Sequence, residues 1–218
     1  MLILTPRGEI KFEARENTSD ELVVKESFIE NVYQVSEENF EDTGIAIDLG
    51  ANIGAFSLFA TTVGAKKVYA YEPVASNFKL LVKNIRNNEL LKTVKAVKKA
   101  VGAEQAIVSM IDKQGNSHIS GQFKKGTEQA EMIRLEDVFT ENEIAYCDVL
   151  KIDVEGSEYP IICGASIDVL KKIKYITMEF HSTTPQEFGV MISWLSQVFN
   201  IHIIGSYDKG GQIYAKRY

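Results

Sequence analysis

Short apolar runs alternate along the chain with stretches whose apolar residues recur every three or four positions. The runs predict strands and the periodic stretches predict helices. Strands are predicted at residues 44–50, 67–73, 93–101, 106–112, 147–156 and 174–180, with a closing hairpin at 200–218. Helices are predicted at residues 53–63, 75–88 and 185–199. This order predicts an α/β fold in which helices flank a parallel sheet and the hairpin adds antiparallel strands at one edge.

Two regions fall outside this alternation. In residues 1–43 a strand-like run precedes Thr18 and Glu21, which have the spacing of a helix capping box. We expect this region to form a cap or lid on a single globular unit at 44–218. Residues 113–130 are rich in glycine, lysine and polar side chains, and a loop of that length in a compact domain is usually functional or disordered.

The composition limits which class of protein and which kinds of partner are expected. The chain has 218 residues, of which 45% are hydrophobic and 25% charged, as expected for one globular domain. Its formal charge of -6 disfavours nucleic acid as a partner, because phosphate backbones are repelled. Its 2 cysteines suit a reducing compartment, and neither a leader nor a membrane-spanning run of roughly 20 apolar residues is recognisable. The sequence therefore predicts a cytoplasmic protein.

The stretch "IAIDLGANIG" carries the first chemical signal. Gly50 and Gly54 follow the first strand of the alternation, where parallel sheets bind ligands and where a helix N-terminus offers free N–H groups. Their spacing matches neither the dinucleotide nor the phosphate-loop pattern, and Asp48 comes directly before them. A carboxylate at this place favours a ligand with an ammonium group or hydroxyls over a phosphate.

Glu72 ends the next strand, where a carboxylate accepts hydrogen bonds from ribose hydroxyls. Together with the glycine loop it describes a nucleoside that carries an amino-acid tail. The alternative is that Gly50 and Gly54 serve only the turn and its packing, and that Glu72 is a surface charge.

Three stretches resemble a known family: "AIDLGANIGAFSLFA", "YAYEPVASNFKLLVKNI" and "LKIDVEGSEYPIICG". They look like S-adenosylmethionine-dependent methyltransferases and, through the D-x-E-G pattern, the FkbM family. The resemblance covers about residues 44–182. It implies a Rossmann-like, class I fold: a seven-stranded, mostly parallel sheet with helices on both faces and an antiparallel C-terminal hairpin. Val74 and Ala75 depart from family members that often carry a second proline here.

The resemblance also implies a cofactor, S-adenosylmethionine, and the residues that hold it. The glycine loop would hold the methionyl part, Glu72 the ribose, and the backbone after the third strand the adenine. The residues implied are Asp48, Gly50, Asn52, Gly54, Glu72, Ala100 and Val101.

Four further residues lie at the ends of the strands at 147–156 and 174–180. Strand alternation puts Asp153 and Glu155 on one side, and "MEFH" gives Glu179 and His181 the same relationship. Methyl transfer to an alcohol needs an aligned hydroxyl and a base for its proton. We hypothesise that His181 or Asp153 is this base and that Glu155 and Glu179 orient the hydroxyl.

Each of these residues also has a structural alternative. Asp153 could hold the cofactor ammonium, Glu155 could fix the turn at Gly156, and His181 could be structural. A divalent metal held by Asp153, Glu179 and His181 is chemically reasonable but not favoured.

The function predicted from the sequence is methyl transfer from S-adenosylmethionine to a hydroxyl oxygen of a small molecule or sugar. The alternatives are a methyltransferase that acts on RNA or protein, and a partner subunit that binds the cofactor without catalysis. Neither the acceptor nor the oligomeric state can be predicted from these residues.

Overall fold

The computed structural model describes residues 1–111, 118–120 and 128–218. Its strands are β1 (Leu2–Thr5), β2 (Gly8–Lys11), β3 (Ile45–Leu49), β4 (Lys67–Tyr71), β5 (Val94–Val97), β6 (Ala100–Gly102), β7 (Ala106–Ile111), β8 (His118–Ser120), β9 (Glu128–Arg134), β10 (Cys147–Ile152), β11 (Ile173–Phe180), β12 (Phe199–Ser206) and β13 (Gly210–Arg217). Its α-helices are α1 (Asp20–Lys25), α2 (Ala55–Thr62), α3 (Ala75–Asn87), α4 (Leu135–Glu141), α5 (Glu158–Gly164), α6 (Ile167–Leu170) and α7 (Pro185–Leu195).

The main sheet has seven strands in the order β12-β13-β11-β10-β3-β4-β5. The five strands from β11 to β5 pair in parallel, whereas β13 runs antiparallel to both β11 and β12. Every residue of β10 is buried, as expected for a strand covered on both faces. The predicted α/β fold, with its parallel sheet and antiparallel C-terminal hairpin, is confirmed.

Helices cover both faces of this sheet. Ile47 and Leu49 of β3 pack into one core cluster with residues of α5 and α7, while Ala46 packs into a second cluster with α2 and α3. This division follows from the alternation of side chains along a strand. Among the described residues, no helix has the length and apolar character needed to cross a bilayer.

Residues from the N-terminal region share the second core cluster. Phe12, Val24, Tyr33 and Val35 are buried there beside residues of α2. The predicted capping box of Thr18 and Glu21 is wrong, because α1 begins at Asp20 after Ser19. The Thr18 hydroxyl instead donates to the carbonyl of Arg15.

The predicted strand at 93–101 is also wrong as a single element. It divides into β5, in the main sheet, and β6, in a four-stranded sheet of order β6-β9-β7-β8. The division falls at Lys98 and Lys99, whose ammonium groups pair with Glu128 of β9 and with Glu141 of α4.

The loop predicted at 113–130 contains β8 and the first residues of β9, while residues 113–117 and 121–127 lie outside the described part of the chain.

Candidate active site

A cleft with a cavity volume of about 180 Å³ lies at the carboxyl ends of β3, β4 and β10. Residues that follow these strands form one side, and residues of α1, the π-helical turn at Glu26–Glu30 and Tyr33 contribute another. Most of the site residues predicted from the sequence line this cleft. They are Gly50, Asn52, Glu72, Ala100, Val101, Asp153, Glu155 and Glu179.

The glycine loop is fixed between the ends of two neighbouring strands. The amides of Gly50 and Ala51 both donate to the carbonyl of Tyr71, at 3.0 and 2.9 Å. Gly50 has a φ of +77°, and a Cβ added there would lie 1.8 Å from the carbonyl oxygen of Asp153. Only glycine fits this approach, so the loop backbone lies directly against the residue that follows β10.

Glu72 is a buried carboxylate on the wall of the cleft, with 4% of its surface exposed. Its Oε2 accepts from the amide of Asn52 at 2.8 Å and its Oε1 from the amide of Val74 at 2.9 Å. Burial raises the pKa of Glu72 to about 7, although these two amides favour the charged form. The alternative that Glu72 is a surface charge is therefore wrong.

Asp48 lies beneath the loop and not on the cleft wall, which corrects its predicted contact with the ligand. Its side chain is fully buried on the face of the sheet that packs against α2, where the Ser57 hydroxyl donates to Oδ2 at 2.6 Å. Its Oδ1 lies 3.1 Å from the ammonium nitrogen of Lys151, on the neighbouring strand β10. Asp48 therefore acts on the cleft through Lys151.

Lys151 is a buried cation that sequence reasoning missed. Its Nζ lies 3.5 Å from Oδ2 of Asp153 and donates to the carbonyl of Gly50 at 2.8 Å. Burial alone would lower the pKa of Lys151, but the charges of Asp48 and Asp153 outweigh burial and raise it. The signal available in the sequence was a lysine inside the strand-like run "CDVLKI", because a lysine buried in a strand needs a charged partner.

Gly54 does not line the cleft, and its contact with the cofactor stays a prediction. It lies at the N-cap of α2 with a φ of +94°, and a Cβ there would lie 2.8 Å from Cδ1 of Leu81 in α3. The turn and the packing of α3 account for this glycine.

Asp153 and Glu155 line the cleft, but they follow β10 and do not lie in it, so strand alternation does not place them there. β10 ends at Ile152, and Glu155 has a left-handed φ of +55°. Asp153 accepts from the Tyr33 hydroxyl, with Oδ2 and the phenol oxygen 3.2 Å apart. Glu179 lies within β11, where burial and then the charge of Asp153 raise its pKa to about 7.

His181 lies off the cleft wall, between two carboxylates. Its Nε2 is 3.2 Å from Glu155 and its Nδ1 is 3.1 Å from Glu158, and these hydrogen bonds raise its pKa to about 10. At neutral pH the ring therefore holds both protons, whereas a general base needs a nitrogen without one. Glu158 also accepts from the amides of Val154 and Gly156, so it fixes the turn that was attributed to Glu155.

The described residues contain no group of three histidine, cysteine, aspartate or glutamate side chains that could hold a metal ion. Asp153, Glu179 and His181 are thus not brought together as the ligand set considered above.

Known proteins that are similar to this chain include methyltransferases. A family model described as the methyltransferase FkbM domain matches residues 48–201. The chain is 25% identical over 193 residues to methyltransferase sdnD of Sordaria araneosa, covering 73% of this chain and 74% of the relative. It is 23% identical over 168 residues to the hexuronic acid methyltransferase AglP of Haloferax volcanii, covering 75% and 67% respectively.

The fold agrees with a solved structure. The methyltransferase FkbM of Methylobacillus flagellatus KT superimposes with a TM-score of 0.55 at 16% identity. The match covers 88% of this chain and 47% of the other, so this chain spans about half of that protein. The predicted class I methyltransferase fold is confirmed.

Proposed function

Because the chain belongs to the FkbM methyltransferase family, we propose that it transfers the methyl group of S-adenosylmethionine to a hydroxyl oxygen of a small molecule or sugar. The observation that carries the proposal is the buried carboxylate of Glu72, which lies on the cleft wall and is held by the amide of Asn52 in the glycine loop.

The polar groups that line the cleft suit this cofactor. Glu72 would accept hydrogen bonds from the two ribose hydroxyls, as a carboxylate at the end of the second strand does in related folds. The backbone of Gly50 and Asn52 would hold the amino-acid end, and Ala100 with Val101 would contact the adenine. When bound, the cofactor supplies an electrophilic methyl group on a sulfonium centre.

Asp153 belongs both to the part of the proposed site that would hold the cofactor and to the part that would hold the acceptor. Its backbone carbonyl lies against Gly50, and its charge raises the pKa of Glu179. We therefore place its carboxylate where the cofactor and the acceptor meet.

Glu179 is the residue best suited to take the proton from the acceptor hydroxyl. A general base works best when its pKa lies near the operating pH, and the pKa of Glu179 is about 7. Glu155 lines the cleft and is held by the protonated ring of His181, so it would orient the acceptor. His181 then serves as a positioning residue for Glu155.

The charge of the cleft favours a neutral acceptor. Five carboxylates line it, those of Glu26, Glu72, Asp153, Glu155 and Glu179. The two lysines that line it are both paired, Lys151 with Asp48 and Asp153 and Lys99 with Glu131 and Glu141. Such a surface repels phosphate groups, which disfavours RNA as the substrate. The relative named for hexuronic acid supports a sugar as the class of acceptor, while the acidic cleft of this chain favours a sugar without the carboxylate of a hexuronic acid.

The test is methyl transfer from radiolabelled S-adenosylmethionine to a panel of neutral sugars, hydroxylated small molecules, RNA and peptides. We expect label only in the sugars or hydroxylated small molecules, and a loss of about 10²–10⁴-fold in rate for Glu179→Gln with cofactor affinity retained. Glu9→Gln, an exposed carboxylate of β2, is the matched control. Label in RNA or peptide alone would contradict the proposed acceptor. Cofactor binding without turnover on any acceptor would instead indicate a non-catalytic subunit.

A further inference from the structure

Tyr33 contributes to the cleft from outside the region that the family model matches. It precedes residues 48–201, yet its side chain lines the cleft and is only 4% exposed. Its phenol oxygen lies 3.2 Å from Oδ2 of Asp153, a residue 120 positions away in the chain. The N-terminal region thus contacts directly the carboxylate that we place between cofactor and acceptor.

The ring of Tyr33 is held on two sides. It packs edge-on against Phe56 with ring centroids 5.1 Å apart, and the Nζ of Lys151 lies 5.6 Å from its centroid. Burial, followed by the charges of Asp153 and Asp48, raises the pKa of Tyr33 well above its usual value. The phenol therefore keeps its proton and acts as a donor to Asp153 at physiological pH.

Two groups contact the same oxygen of Asp153. Lys151 lies 3.5 Å from Oδ2, the atom that also accepts from Tyr33. Neither of these two contacts is made to Oδ1. Without the phenol, attraction to Lys151 alone would set the angle of the carboxylate.

We propose that Tyr33 is a positioning residue that fixes Oδ2 of Asp153 and so presents Oδ1 to the transferred methyl group. This inference rests on the proposed function, since it requires the cofactor to bind beside Asp153. It extends the active site to a segment that precedes residues 48–201, the part of the chain that the family model matches.

Two ligands test this without a known acceptor. S-adenosylhomocysteine has neither the methyl group nor the positive charge, whereas sinefungin carries an amine in the place of the methyl. A carboxylate aimed at the methyl position binds that amine through a charge-assisted hydrogen bond. The ratio of the two dissociation constants therefore reports on Asp153, and any loss of folded protein affects both ligands alike and cancels.

The experiment is calorimetric titration of both ligands into the wild type, Tyr33→Phe, Asp153→Asn and the double variant. We expect the wild type to prefer sinefungin by roughly tenfold or more. Asp153→Asn should lose this preference, and Tyr33→Phe should reduce it by about threefold or more with S-adenosylhomocysteine affinity unchanged. The double variant should be no worse than Asp153→Asn alone, because residues that act through one group are not additive.

Tyr214→Phe is the matched control, because the Tyr214 hydroxyl donates to the carbonyl of Val32 at 2.6 Å and so anchors the same segment away from Asp153. It should leave the ratio unchanged. Equal losses from Tyr33→Phe in both backgrounds, or no preference for sinefungin in the wild type, would overturn the inference while the proposed cofactor stands. Failure of both ligands to bind would overturn the proposed function as well.

Discussion

Replacement of Lys151 with methionine should lower the free energy of unfolding by about 3–5 kcal/mol, the usual result of breaking a buried ion pair. The substitution keeps the length of the side chain and removes its charge. Asp48 would then be a fully buried carboxylate that keeps the hydrogen bond from the Ser57 hydroxyl but has lost its cation.

The geometry supports a loss of this size. Nζ of Lys151 lies 3.1 Å from Oδ1 of Asp48, and at an effective dielectric constant of about 20 such a pair attracts by about 5 kcal/mol. Both side chains are at least nine-tenths buried, so solvent screens the pair weakly. For a domain of this size the loss corresponds to a melting temperature lower by roughly 6–20 °C.

Urea denaturation followed by circular dichroism measures the effect. Lys174→Met is the matched control, because Lys174 lies 3.0 Å from Asp42 in a pair whose side chains are 24% and 60% exposed, and pairs open to solvent contribute about 0–1 kcal/mol. A second comparison adds Asp48→Asn to Lys151→Met. This double variant should recover much of the stability, since it leaves no uncompensated charge at position 48.

A loss below about 1 kcal/mol for Lys151→Met, equal to that of the surface control, would refute this reasoning. So would a double variant less stable than Lys151→Met alone. Either result would mean that water or rearrangement compensates the buried carboxylate.

Three further predictions concern the site. With the cofactor saturating, so that Glu72 is held by the ribose, the kcat/KM for the acceptor should rise with pH to a plateau with its midpoint near the Glu179 pKa of about 7. Glu179→Gln should lack this dependence, and a flat profile in the wild type would contradict the assigned base. The pKa of His181 is raised to about 10, so its contribution to the free energy of unfolding should be complete below about pH 6.5 and disappear as the pH rises through 10. NMR should therefore detect a doubly protonated ring at pH 8. Titration of the ring near pH 6.5 would argue against its ion pairs with Glu155 and Glu158. Gly50→Ala should abolish cofactor binding in calorimetry, because its Cβ would collide with the carbonyl of Asp153. The control Gly189→Ala, in α7 with open space around it, should keep binding and raise the free energy of unfolding by about 0.5–1 kcal/mol. Normal binding by Gly50→Ala would contradict the close contact with Asp153.

The fold was predictable because its main sheet obeys strong rules. Parallel strands buried on both faces give continuous apolar runs such as "IAIDL" and "CDVLKI", and the helices between them have clear periodicity. The four-stranded sheet was missed because β9 follows a polar, glycine-rich stretch that resembles a loop. The run at 93–101 misled because its second half, β6, pairs with the distant strand β9 in the second sheet, and this pairing has no local signal.

The site was predictable where chain order alone decides position. Glu72 directly follows β4, the strand beside the one that leads into the glycine loop, so its place on the cleft wall follows from parallel topology. Asp48 was misplaced because the pattern does not show which face of a doubly covered strand meets the cleft. Tyr33 has no local signal at all, since its partner Asp153 lies 120 residues away.

The central claim is that this cleft binds S-adenosylmethionine, and calorimetric titration tests it directly. The ligands are S-adenosylmethionine, S-adenosylhomocysteine and NAD, titrated into the wild type and into Glu72→Ala. We expect both adenosyl compounds to bind the wild type, Glu72→Ala to bind them at least roughly tenfold more weakly, and NAD to bind more weakly than either. Absence of binding by both adenosyl compounds to a protein shown to be folded, or tighter binding of NAD, would contradict it.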